Sequence, residues 1–242
     1  MSLPFFSGPA LRDEDFSLGS TYGEIAEKVD FNDAVSVQTE QGTYEFQLDS
    51  DDLRMRPLIQ AGDTFLQLYF DRHTDRLSSV RMMNKEVLVR LKPYSITYRG
   101  NLAELTNYSE NEWKEIEAGR EKQIFDLTNV IRARHGLEPF DWDEDVSKVA
   151  YAHSKDMNEH QFFSHHSPQS GDLSARLEKG NVIVHYAGEN IAAHYIDGLA
   201  AVEGWLNSEG HRVNLLHEEF TFLGVGVFRD YYTQNFMTPW IP

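Results

Sequence analysis

Cysteine is absent from all 242 residues. Its absence removes disulfides, thiolate nucleophiles, iron–sulfur clusters and cysteine-based zinc sites, and leaves the compartment open. Basic residues are scarce, 22 Lys and Arg against 39 Asp and Glu, for a formal charge of −17. A chain so acidic lacks the basic face that binds nucleic acid by releasing counterions. It is equally unsuited to docking on anionic lipid surfaces. No run approaches the roughly 18 consecutive apolar residues of a membrane span. The start, Met1-Ser2-Leu3-Pro4-Phe5-Phe6, is too short and uncharged to read as a secretory leader. Internal repeats and low-complexity stretches are also missing. What remains is 40% hydrophobic and 12% aromatic, too apolar and ring-rich for a disordered chain. The length suits one large domain or two small ones.

The grammar changes along the chain, and the changes point to α+β architecture in two parts. Up to about residue 100 the text is strand-like. Ala34–Thr39 and Thr43–Leu48 alternate apolar and polar residues around a tight turn at Gln41-Gly42. Thr64–Phe70, Leu77–Met83 and Glu86–Leu91 continue the pattern, the last two joined at Asn84-Lys85, after a short helix over Tyr22–Val29. Strands this close predict one antiparallel sheet with a single buried face. Nothing here looks catalytic, and His73 reads as a solvated loop residue. From Ser109 onward the period becomes helical. Ser109-x-x-Glu112 is a capping box opening a helix to about Arg134, with Gly136 as its stop. Asp141-Trp142-Asp143 opens a second helix, whose Val146, Val149, Ala150, His153 and Met157 share one face. Helices over Asp197–Leu206 and Glu209–Leu216 follow, then a hairpin of Leu223–Phe228 and Tyr231–Phe236. The expected division is a strand-rich α+β domain over 1–110 and a helix–sheet sandwich over 111–242.

Most histidines lie in the second part, within spaced motifs: Asn129-x-x-Arg132, Gly136-Leu137-x-Pro139-Phe140, Ala152-His153-Ser154, Phe162-Phe163-Ser164-His165, Gly188-Glu189-Asn190-Ile191-Ala192, Trp205-x-Asn207-Ser208-x-Gly210-His211-Arg212-x-Asn214-Leu215-Leu216, Gly224-Val225-Gly226 and Tyr232-Thr233-Gln234. In type and order these motifs, over about residues 118–240, resemble the CAP superfamily of cysteine-rich secretory proteins, antigen 5 and plant pathogenesis-related proteins, which has many bacterial members. The first half is similar to the amino-terminal domain that accompanies it in Bacillus-type proteins. The resemblance implies a three-layer α-β-α sandwich, a secreted or cell-envelope location, and a binding or signalling role. Its cleft carries two histidines and two glutamates in eukaryotic relatives. Carried over by motif, the first histidine is His165, with His166 competing, and the first glutamate is Glu189. The second glutamate position holds Ser208 and the second histidine position Tyr231. His211, typical of bacterial members, is the candidate replacement imidazole.

The expected ligand-binding cleft is therefore His165, Glu189, Ser208, His211 and Tyr231, with Ser208 and Tyr231 at its edge and Ser164, Gly188 and Gly210 letting the backbone approach closely. No cofactor is required. A divalent metal such as zinc would be held by His165 and His211, with Glu189 reached through water, more weakly than by four protein ligands. A plain hydrogen-bonded knit of loops ranks slightly ahead of metal binding. His153 reads as a satisfied core histidine, His160, His185, His194 and His217 as surface residues, and Trp205 as a core anchor. Serines beside histidines lack a Gly-x-Ser-x-Gly elbow, and no partner acid for glycoside hydrolysis can be named. A binding module for a lipid, peptide or protein ligand ranks first and a metal-dependent hydrolase second.

Overall fold

The computed structural model describes residues 17–102 and 107–240, and the chain divides into two compact units, 1–107 and 108–242. In the first, α1 (Tyr22–Ala26) starts from a Thr21/Glu24 capping box. It is followed by β1 (Ala34–Thr39), β2 (Gly42–Gln47), α2 (Ser50–Met55), β3 (Leu58–Ala61), β4 (Thr64–Asp71), β5 (Arg76–Asn84), α3 (Lys85–Leu91) and β6 (Ser95–Gly100). The strands form two antiparallel three-stranded sheets, β1-β2-β6 and β3-β4-β5, where the pattern predicts one. Strand β4 explains the difference. Phe65 enters a core with Tyr44, Phe46 and Leu88, while Leu66, Leu68 and Phe70 enter another with Ile25 and Leu77. Both faces of this strand are buried, so a rule of one wet face fails.

The segment Glu86–Leu91, strand-like in its sequence, is helix α3. The Asn84 side chain accepts the Val87 amide at 2.8 Å and caps a helix start, where the pattern predicts a hairpin. Its turn then buries Leu88 and Val89 as one face. Helix α2 and strands β3 and β6 have no counterpart in the sequence pattern.

The second unit runs α4 (Glu110–Arg134), β7 (Asp141–Trp142), α5 (Glu144–Glu159), α6 (Leu173–Lys179), β8 (Val184–Ala193), α7 (Gly198–Leu206), α8 (Glu209–Leu215), β9 (Phe222–Phe228) and β10 (Tyr231–Pro239). The Ser109/Glu112 capping box is formed. The sheet order is β7-β9-β10-β8, with β8 at one edge. Leu223, Val225 and Val227 of β9, with Tyr232 and Phe236 of β10, pack against Ile124 and Ile131 of α4 and Trp205 of α7. The opposite face carries α5. A Cβ at Gly226 would stand 1.9 Å from the Tyr151 amide nitrogen, and one at Gly224 would stand 2.3 Å from that of Ser147. The glycines therefore let α5 lie directly on the strand, and Ser147 donates to the Val225 carbonyl at 2.7 Å. Helices on both faces make this the three-layer α-β-α sandwich.

Several motif residues serve this frame. Arg132, 1% exposed, donates to the carbonyls of Glu138, Leu215 and His217, and so ties α4 to the end of α8. Asn129 exchanges two hydrogen bonds with the Phe140 backbone.

Candidate functional site

The site gathers at edge strand β8. Alternation sends Glu189, Ile191 and Ala193 to the α5 face and Gly188, Asn190 and Ala192 to the other. Gly-Glu-Asn-Ile-Ala is thus strand, although its sequence shows no strand pattern. Its backbone is pinned from outside: Trp205 Nε1 donates to the Ile191 carbonyl at 3.0 Å and Asn214 Nδ2 to that of Glu189 at 3.2 Å. Asn190 donates to the His211 carbonyl at 3.1 Å and its side-chain oxygen accepts from Asn214 at 3.0 Å. Gln234 joins the network and reaches Thr128 at 2.8 Å. These buried amides fix α8, and hence His211, relative to β8.

Glu189 is the centre of charge. Its side chain is 3% exposed; Oε1 accepts from His165 Nδ1 at 2.8 Å and Oε2 from Arg176 Nη2 at 2.6 Å. Of the two neighbouring histidines, it is His165 that reaches Glu189. His166 is exposed and bonds through its backbone amide to Ser164 Oγ. With Nδ1 committed to the carboxylate, His165 offers Nε2 to any ligand. The His165 ring is 57% exposed, so that nitrogen sits on an open side chain.

His211 is half-buried, and its Nδ1 pairs with Ser208 Oγ at 2.7 Å. Burial, and then the charge of neighbouring His165, hold its pKa below the usual imidazole range. Ser208 occupies the N-cap of α8 yet makes no capping hydrogen bond; its hydroxyl serves His211. A cavity of about 420 Å³ opens beside them, lined by Phe163, Ile191, Trp205, Ser208 and His211 among others.

Tyr231 departs from expectation. It is 6% exposed and packs with Met157, Phe162 and Ile191. Opposite Ala193 in the ladder, it packs on the α5 side of the sheet and is buried where an edge residue is expected. Gly188 does admit close approach, a Cβ there falling 2.9 Å from the Phe220 ring, whereas Gly210 faces open space. His153 is fully buried, donates from Nε2 to the Ser164 carbonyl at 3.1 Å, and lies 4.0 Å from Glu189. Burial pushes its pKa down to about 4 against the pull of Glu189. His160, His185 and His194 are exposed; His217 is half-buried on Phe220.

Arg176 is the site residue that the sequence does not single out. Its helix α6 starts at an Asp172 N-cap but carries no apolar stripe, and a lone arginine in such a stretch gives no signal of an ion pair with Glu189. For a metal, the donors are limited. Each Glu189 oxygen already accepts one hydrogen bond, and among the described residues no group of three or more His, Asp or Glu side chains is arranged to hold an ion. Glu189 stands behind His165 as the orienting carboxylate of a ligand histidine does, and each of its oxygens already accepts one hydrogen bond.

A three-layer sandwich whose edge strand carries a buried glutamate bonded to a histidine sets the class to look for. The cysteine-rich secretory protein (CAP) family model matches residues 125–238, and that of the CAP-associated N-terminal domain matches 5–94. A Bacillus subtilis (strain 168) protein, uncharacterized membrane protein YlbC, is 45% identical over 98% of this chain and 68% of its own length. A crystal structure of an extracellular SCP-domain protein from Bacillus anthracis str. Ames aligns with TM-score 0.89 and 44% identity over 93% of this chain and 73% of that one. A Staphylococcus aureus cysteine-rich secretory protein aligns with TM-score 0.79 and 26% identity over the same shares. The chain belongs to the CAP family and carries a CAP-associated N-terminal domain. Among its described residues no helix is long and apolar enough to cross a membrane.

Proposed function

We propose that this chain is an extracellular or cell-envelope binding module whose ligand enters the cleft of His165, Glu189, Ser208 and His211. The observation that carries the reading is that Glu189 and the Nδ1 atoms of both histidines are held by protein partners, which leaves the two Nε2 edges for a ligand. Glu189 is bound twice, His165 Nδ1 is bound to it, and Ser208 is turned to His211. Such a site presents fixed imidazole edges beside an apolar cavity, which suits a ligand with an apolar body and a polar head. Extracellular placement is supported by the Bacillus anthracis relative, described as extracellular, while the Bacillus subtilis relative is called a membrane protein. The test is a titration with dodecanoate and with a neutral tetrapeptide, read at the Trp205 indole N–H. Saturable shifts in the wild type that vanish in His165→Ala support the reading. Turnover of peptide, ester or glycan substrates that disappears in the same variant overturns it.

A second reading, metal-dependent hydrolysis, is favoured by one feature, the carboxylate seated behind the His165 imidazole. Zinc would then be held weakly by His165 and His211, and would supply a polarised water. Calorimetric titration with zinc alone is expected to give heat that is lost in His211→Ala; unchanged heat in the variant removes the metal site.

A further inference from the structure

We propose that the cavity between α5 and α6 is a second ligand site, taking a carboxylate with a hydrogen-bond donor beside it, as at the C-terminus of a short peptide. The space is about 420 Å³ and shares no lining residue with the cleft cavity. Its apolar walls are small, Val149, Ala152 and Gly180, and so leave room for a ligand backbone. Two deeply buried polar side chains also line it, Arg176 at 5% exposure and His153 at 0%. Arg176 spends Nη2 on Glu189, but among the described residues its Nε and Nη1 have no partner, nor does His153 Nδ1. Because His153 Nε2 faces a carbonyl it must carry the ring proton, which leaves Nδ1 a bare acceptor. Buried groups left this way forfeit the hydrogen bonds they had in water.

Basic side chains gather here in an otherwise acidic chain; Glu189 pairs with Arg176 and Asp145 with Lys148, which leaves Lys179 as the exposed cation. Lys148, Lys179 and Arg176 line it with only Asp145 and Asp156 against them. Asp145 is held by Lys148, and Asp156 by Ser167 and His160. Lys179 is exposed and has no ion pair among the described residues. Donors on Arg176 and Lys179 call for an anion, and the acceptor on His153 calls for an N–H next to it. A peptide terminus presents both, whereas a phosphate dianion brings no donor. The unpaired atoms are shut off from bulk water, so binding turns the guanidinium towards the cavity about its Nη2–Glu189 bond.

The experiment is an amide and arginine Nε–H NMR titration with N-acetyl-alanyl-alanine and, separately, its C-terminal amide. The acid is expected to shift Ala152, Gly180 and the Arg176 Nε–H saturably, and the amide to shift none of them. Ala152→Trp, which fills the space from an exposed position, should abolish the effect without altering the unfolding midpoint. Lys179→Ala should weaken it several-fold, and His165→Ala should leave it intact. Equal shifts from acid and amide, no shift from either, or wild-type binding in Ala152→Trp would overturn the proposal; a cavity that only holds water gives the second result.

Discussion

At the scale of single residues, the cleft depends on an ion pair that is itself buried. Arg176 and Glu189 meet at 2.6 Å with side chains 4% and 3% exposed. Removing one member strands the other charge, so Arg176→Met should lower stability by about 3–5 kcal/mol in urea denaturation. His165→Ala, at an exposed ring, should cost roughly 1 kcal/mol or less. His153 adds a pH signature. Its folded pKa, about 4, lies below the ordinary imidazole value of 6.5, so the unfolded chain binds the extra proton between those values. Stability from this group is full above pH 6.5 and is lost as pH falls towards 4. Glu121, raised to about 7 chiefly by burial, works the opposite way. His153→Gln should therefore flatten the acid side of a melting-temperature profile, and an unchanged slope would show that the ring is not held neutral. Of these residues, the motifs that carry His165 and Glu189 are legible in the sequence because they are local and ordered, and so is that of His211. Arg176 and the burial of Tyr231 are not, because each depends on which strand lies opposite, and neighbouring residues do not encode that.

Between residue and molecule, elements are legible where polar caps and apolar stripes agree. The Ser109 capping box and the α5 stripe are of this kind, and both form. Strand β8 escapes a reading of the sequence because it buries Glu189 and Asn190 on its two faces, which erases the alternation a strand normally shows. Helix α3 reads as strand because Val87, Leu88 and Val89 favour strand locally while Asn84 supplies a cap. Asn84→Ala should cost about 1 kcal/mol by thermal denaturation. A loss near zero would mean the cap is idle. Gly226→Ala must push α5 off the sheet, since no shift of a flexible side chain can clear a backbone nitrogen. Overpacking of this sort costs about 1–3 kcal/mol or more; wild-type stability would contradict the direct contact.

For the whole molecule, each unit has its own core: Tyr44, Phe46 and Leu88 in the first, Trp205, Val225 and Phe236 in the second. Residues 108–242 expressed alone should therefore unfold in a single cooperative transition by calorimetry. A gradual, non-cooperative melt would show that the second core is incomplete without the first. The change from strand-like to helix-like text at the Ser109 capping box makes this division legible. The split of the first unit into two sheets is not, because short strands reveal their faces but not their neighbours.

The proposed cleft requires that His165 and His211, 46 positions apart, face one site, and it stands or falls with that pairing. Titrating the His211 ring by NMR in the wild type and in His165→Gln tests it without any ligand. In the wild type the ring should titrate below the usual imidazole range, through burial and the charge of His165. Removing a like charge favours protonation, so in His165→Gln the His211 pKa should rise while staying below the ordinary value. A His211 pKa identical in the two proteins would contradict the shared cleft.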